Sequence, residues 1–124
     1  MGEMVTFASN GHDARGYLAV PDTGSGPAVM VIQEWWGLNP QMKGVADFLA
    51  GQGFVALAPD LYHGELAGHD EMDKAGQLMT DLPPERAARD MSGAVDFLAT
   101  HQTNSAGGVG VIGFCMGGLL SFMI

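Results

Sequence analysis

Three short runs of unbroken apolar sequence constrain this chain more than any other feature. AVMVIQ (Ala28 to Gln33), FVALA (Phe54 to Ala58) and VGVIGF (Val109 to Phe114) show no regular alternation of apolar and polar residues. A strand with one wet face alternates, whereas a strand covered on both faces is apolar throughout. Segments with helical spacing lie between these runs. Asn39-Pro40 is a helix start, a capping side chain followed by proline at the first helical position. Val45, Phe48, Leu49 and Gln52 then keep helical spacing, and Gly53 supplies a stop. A longer helix begins at Glu85, with Ala87, Met91, Ala94, Val95 and Leu98 along one face. Arg86, Arg89, Asp90 and Asp96 fall mostly off that face. NSAGG reads as the close of this helix. Two further β elements, Val5 to Ser9 and Arg15 to Val20, precede the first apolar run, with a hairpin turn at Gly11-His12-Asp13. Residues 61–84 are polar and irregular, with one short helix near Asp70 to Met79. Buried strands alternating with helices predict an α/β fold, a mostly parallel sheet with helices on both faces. At 124 residues the expectation is a single domain over residues 1–124.

Charge and composition narrow the function. The net charge is −9, from 14 acidic and 5 basic residues, and the bases (Arg15, Lys43, Lys74, Arg86, Arg89) are scattered. No basic patch forms from them, so no nucleic-acid partner is expected. No apolar run approaches the roughly 18 residues of a membrane span, and MGEMVTF has neither the basic start nor the apolar stretch of a signal peptide. The single cysteine, Cys115, leaves no internal disulfide and no paired-cysteine zinc spacing, which suits a reducing cytoplasm. Asp60, His63, Glu65, His69 and Asp70 match no metal-ligand spacing, and no metal is expected.

Two glycine-rich motifs compete near the third apolar run. Gly108 to Gly113, GVGVIG, has the formal pattern of a dinucleotide-binding turn. Those glycines must stand at a turn from strand to helix, and here they fall inside the expected strand. The overlapping GFCMGG, Gly113 to Gly118, has the G-x-nucleophile-x-G pattern of a strand-to-helix elbow. In that device the apex residue stands clear of the sheet. Small residues two before and two after it let the turn close against neighbouring backbone, and the amides of the helix start favour thiolate over thiol. A buried structural cysteine at a glycine-rich turn fits the motif alone equally well. A second stretch, QEWWG (Gln33 to Gly37), also follows an apolar run and precedes a helix. If the two runs are neighbours in the sheet, their ends open on one crevice. The backbone N–H groups of Trp35 and Met116 then form a two-donor oxyanion hole beside Cys115, with Glu34 near the thiol. Glu34 as a solvated or capping acid, and Trp35 and Trp36 as plain packing residues, stay open as alternatives.

VIQEWWGLNPQMKGVADFLAGQGFVALAPDLYHG, followed by VGVIGFCMGG, closely resembles the dienelactone hydrolase family of α/β-hydrolases. The resemblance runs from Arg15 to the end of the chain, with QEWWG, APDLYHG and GFCMGG in the family's order and spacing. It implies an α/β-hydrolase sheet, here an N-terminal portion truncated after the start of the elbow helix. It implies hydrolysis of esters or lactones without metal or organic cofactor. Cys115 corresponds to the nucleophile, Glu34 to the acid that interacts with the thiol, and the amides of Trp35 and Met116 to the oxyanion donors. Trp36, Tyr62 and His63 fall where the substrate pocket is lined. Dienelactone-cleaving members carry an arginine shortly after the LY of PDLY, whereas PDLYHGELAG offers His63 and no arginine.

The family's triad runs in the order nucleophile, acid, histidine. No acid or histidine follows Cys115 in the sequence. The expectation is a catalytically incomplete site by itself, with VGVIGF as an unpaired edge strand. A complementing C-terminal chain or self-association would then cover that edge. The alternatives to a hydrolase are a non-catalytic α/β module or assembly partner and a thiol redox sensor.

Overall fold

The structure is a computed structural model that describes residues 2–113. Five strands, β1 (Glu3–Ser9), β2 (His12–Ala19), β3 (Gly26–Ile32), β4 (Val55–Pro59) and β5 (Asn104–Gly113), form one sheet in the order β1-β2-β4-β3-β5. β1 and β2 are an antiparallel hairpin, and β2 runs antiparallel to β4. β3 is parallel to both β4 and β5. The three apolar runs therefore make the parallel half of the sheet. Three helices, α1 (Pro40–Gly51), α2 (Met72–Asp81) and α3 (Pro84–Thr100), complete the order.

β3 and β4 are buried on both sides because α1 and α3 take opposite faces, whereas β5, expected to be covered in the same way, carries no buried residue among those described. α1 covers Val31, Ala56 and Ala58 with Met42 and Ala46. α3 covers Met30, Ile32, Val55 and Leu57 with Ala87, Met91, Ala94 and Leu98. Burying one large aliphatic side chain stabilises a fold by roughly 1.5–3 kcal/mol, so these two layers hold the parallel strands in place. The expected fold class, an α/β-hydrolase-type sheet with helices on both faces, is the one observed. Its antiparallel half is the β1–β2 hairpin leading into β4.

Local signals set the helix ends. Asn39 Oδ1 accepts the Met42 N–H at 3.0 Å, with Pro40 in the first turn. At the other end Phe54 N–H reaches the Leu49 carbonyl and Gly53 N–H the Ala50 carbonyl, each at 3.0 Å. This paired closure is a Schellman motif around Gly53, whose φ is +98°.

Four details differ from the sequence reading. The hairpin turns at Asn10-Gly11, where φ is +51° and +87°, and Ser9 lies opposite His12. A two-residue turn with both central residues left-handed matches the twist of the strands, so His12 and Asp13 belong to β2. NSAGG is the start of β5 and not the end of a helix. It bulges between the Gly26–Asn104 and Ala28–Val109 pairs. The Asn104 side chain holds the bulge by accepting from Ala106 and Gly107 and donating to Leu98 and Gly108 carbonyls. Phe48 is 65% exposed, because it lies about a third of a turn away from the Met42–Ala46 stripe that meets the sheet. Asp90 is 1% exposed and sits inside the buried stripe of α3.

Candidate active site

The candidate site lies at the carboxyl end of β3, beside Gly113 of β5. Their parallel register puts Ile32 opposite Gly113, and Val31 opposite Ile112. QEWWG thus follows β3 at the end of the sheet where Gly113 lies in β5. Phe114, Cys115 and Met116 lie outside the described residues. The GVGVIG glycines lie within β5. A dinucleotide-binding turn needs them at a strand-to-helix junction.

Gln33, directly after β3, is fully buried. Its Oε1 accepts the Leu61 N–H at 3.0 Å, so the side chain ties the exit of β3 to the segment leaving β4. A tight turn follows, in which Gly37 N–H donates to the Glu34 carbonyl at 3.1 Å. Trp35 and Trp36 are its two central residues, and Glu34, Trp35 and Trp36 are all half-buried. Gly37 closes the turn at φ +100°. A Cβ there would lie 2.7 Å from the Glu65 carbonyl oxygen, so both the backbone angle and the space demand glycine. The Asn39 cap then fixes the start of α1, and the turn is held from both sides.

The 60–71 loop lies over this turn. Ala67 N–H donates to the Trp36 carbonyl at 3.0 Å, and the His69 ring meets the Trp36 ring edge-on at 4.8 Å. The two tryptophan rings are themselves edge-on at 5.1 Å. An open cleft of about 390 Å3 separates the start of α1 from the loop, lined by Asn39, Pro40, Leu66, His69 and Glu71 among others. Tyr62 is 3% exposed and packs in the α3-side core, with its ring edge beneath Gly37. Burial pushes its phenol up to about 12.

His63 is turned toward α3. Its Nε2 lies 2.6 Å from Asp90 Oδ2, and Ser9 Oγ donates to Asp90 Oδ1 at 2.6 Å. Arg89 approaches the same carboxylate at 3.5 Å. His63 takes a left-handed backbone, φ +52°, directly before Gly64 at +94°. The turn beneath it is closed by Asp60, whose Oδ2 accepts the Gly64 N–H at 2.7 Å. Burial raises the Asp60 carboxyl above its usual range, partly offset by that amide bond and by the nearby His63.

The described structure therefore gathers Glu34, Trp35, Trp36 and Tyr62 around one turn, and sets His63 on the far side of the loop against Asp90. Gln33, Ser9 and Asp90 were not singled out by sequence reasoning. Asp90 had a legible signal. It falls three residues after Ala87 and four before Ala94, inside the apolar stripe, and an acid in a buried stripe needs a partner. Nothing local to Ser9 or Gln33 distinguishes them from ordinary strand-end polar residues.

Residues 14–124 match the model of the dienelactone hydrolase family. The chain belongs to the dienelactone hydrolase family. It is 47% identical to a protein called usf from Aquifex pyrophilus, over 98% of this chain and 54% of that protein. It is 42% identical to a carboxymethylenebutenolidase from a Pseudomonas species, over 87% of this chain and 48% of that one. Among solved structures, one named m3DLH superposes with a TM-score of 0.81 at 30% identity, covering 98% of this chain and 52% of that chain. The chain spans about half the length of the curated relatives it matches.

Proposed function

We propose that this chain carries the nucleophile half of a cysteine-dependent hydrolase of carboxylic esters or lactones. The observation that carries the reading is the parallel register of β3 and β5, with Ile32 opposite Gly113. Counting two residues on from each gives Glu34 and Cys115. The family membership and the carboxymethylenebutenolidase name of a relative support a lactone or ester as the small-molecule substrate.

In this mechanism the Cys115 thiolate attacks the substrate carbonyl carbon. The oxygen takes the electron pair of the C=O bond and is held by the N–H groups of Trp35 and Met116. Collapse of the tetrahedral intermediate breaks the ester C–O bond and leaves a thioester on Cys115. Water then attacks the thioester, releasing the acid product and restoring the thiol. Glu34 modulates the protonation of the thiol. Trp36 borders the substrate pocket, whereas Tyr62 packs in the core beneath the turn and His63 is turned away toward Asp90, so the pocket-lining role expected of those two is not retained. The general base is a histidine oriented by an acid, both following the nucleophile in family order. A complementing C-terminal chain would bring them to the site. No nucleic acid takes part, and the reaction needs no metal or organic cofactor. No helix among the described residues is long and apolar enough to cross a membrane. The lone cysteine fits a reducing cytoplasm.

The test is acylation by a p-nitrophenyl ester, followed by p-nitrophenolate release and mass spectrometry of the chain. The expected result is an acyl adduct on Cys115, lost in Cys115→Ser and Cys115→Ala. Release equal in wild type and Cys115→Ala sinks the reading. It would favour a catalytically incomplete α/β module or assembly partner, the role to which the half-exposed Val111 and Ile112 of β5 also point.

A further inference from the structure

The 60–71 loop is fastened at two sides. Toward β3 and the Glu34–Gly37 turn it is held by Leu61 N–H on Gln33 Oε1, and by Ala67 N–H on the Trp36 carbonyl. Toward α3 it is held by His63 on Asp90, and by an Arg86 guanidinium nitrogen donating to the Leu61 carbonyl at 3.1 Å. The α3 anchor is built for rigidity. Asp90 is 1% exposed, and each of its oxygens accepts at 2.6 Å, one from Ser9 and one from His63. Charge-assisted bonds to a buried carboxylate are about twice as strong as neutral ones. His63 also holds a left-handed backbone, which side chains other than glycine rarely keep unless their surroundings fix them.

We propose that His63 is a positioning residue, whose bond to Asp90 clamps the 60–71 loop to α3 and so fixes the Glu34–Gly37 turn that carries Trp35 and Trp36. The clamp links β1, α3 and the loop through one carboxylate, Ser9–Asp90–His63. The loop then transmits its position to the turn through Ala67, His69 and the glycine-only contact of Gly37 with Glu65. That this turn borders the reacting carbonyl rests on the preceding proposal; the coupling between clamp and turn does not.

Two readouts test it on the 124-residue chain without any turnover. Amide exchange followed by NMR reads the Ala67 N–H, and tryptophan emission reads the turn, since the chain's 2 tryptophans are Trp35 and Trp36. His63→Asn keeps a residue at ease in the left-handed region but is too short to reach Asp90. It should speed Ala67 exchange about tenfold and shift the tryptophan emission to the red, as expected from losing one charge-assisted bond. The Lys43 N–H, which bonds Asn39 at the start of α1, should exchange as in wild type. Asp90→Asn should act in the same direction, and the double variant should be no faster than the faster single one. Unchanged Ala67 exchange in His63→Asn overturns the proposal, as do additive effects in the double variant. If Asp90→Asn fails to fold, His63→Asn alone decides. Faster exchange with no Cys115 acylation upholds the clamp and removes only the hydrolase reading.

Discussion

A buried carboxylate such as Asp90 is tolerated only when its oxygens are bonded, and here Ser9 and His63 supply both partners. Removing one donor leaves the charge under-satisfied and keeps its desolvation cost. Ser9→Ala should therefore destabilise the chain by about 1.5–3 kcal/mol, seen as a lower urea midpoint with an unchanged slope. The chain's two tyrosines give a pH signature. Burial raises both phenols, Tyr62 to about 12, and at Tyr17 the hydrogen bond to Asp47 adds to burial. In the unfolded chain both ionise near 10. The unfolded state thus loses protons first, so this contribution to stability is complete below about pH 10 and is lost as pH rises toward 12. Phenolate absorbance should appear together with the loss of circular dichroism, not before it. Phenolate formation at ordinary pH on a folded chain would contradict the burial of both rings.

At the level of elements, ends and stripes decide. The Asn39 cap accepts an amide that otherwise has no helical partner, so Asn39→Ala should cost about 1 kcal/mol. Because α1 begins directly after the Trp35–Trp36 turn, thermal unfolding and tryptophan emission should shift together in that variant. Met91 is fully buried where α3 crosses the sheet. Met91→Ala should cost about 2–5 kcal/mol, measured by urea unfolding, with the value set by how far the cavity collapses. Sequence periodicity located both helices correctly. It misjudged Phe48, because apolar spacing along a helix identifies candidates for burial, and the angular position relative to the sheet selects among them. It also read Asn104 to Gly108 as a helix end, because a polar, glycine-rich stretch gives no sign that one asparagine side chain can organise it into a strand bulge.

Across the whole molecule, among the described residues β5 is an edge strand, with Val111 at 38% and Ile112 at 37% exposure. An apolar edge with open backbone groups templates pairing with another strand. The purified chain should therefore elute from size exclusion as species larger than its 13.0 kDa mass, and Val111→Lys should shift it toward monomer. A compact wild-type monomer with strongly protected β5 amides would count against pairing through this edge. The sequence by itself determined the α/β class, the two buried strands β3 and β4, the position of β5, the capped helix after QEWWG and the family. Each of these depends on neighbours a few residues apart, through caps, turns and periodic burial. Only the tertiary structure decided that Ser9, His63 and Asp90 meet, and that Gln33 bonds Leu61. Those partners are separated by 81, 27 and 28 residues along the chain, and no local preference encodes them. They come together because packing of α3 and closure of the 60–71 loop bring distant polar groups to one buried place, where each must find a partner.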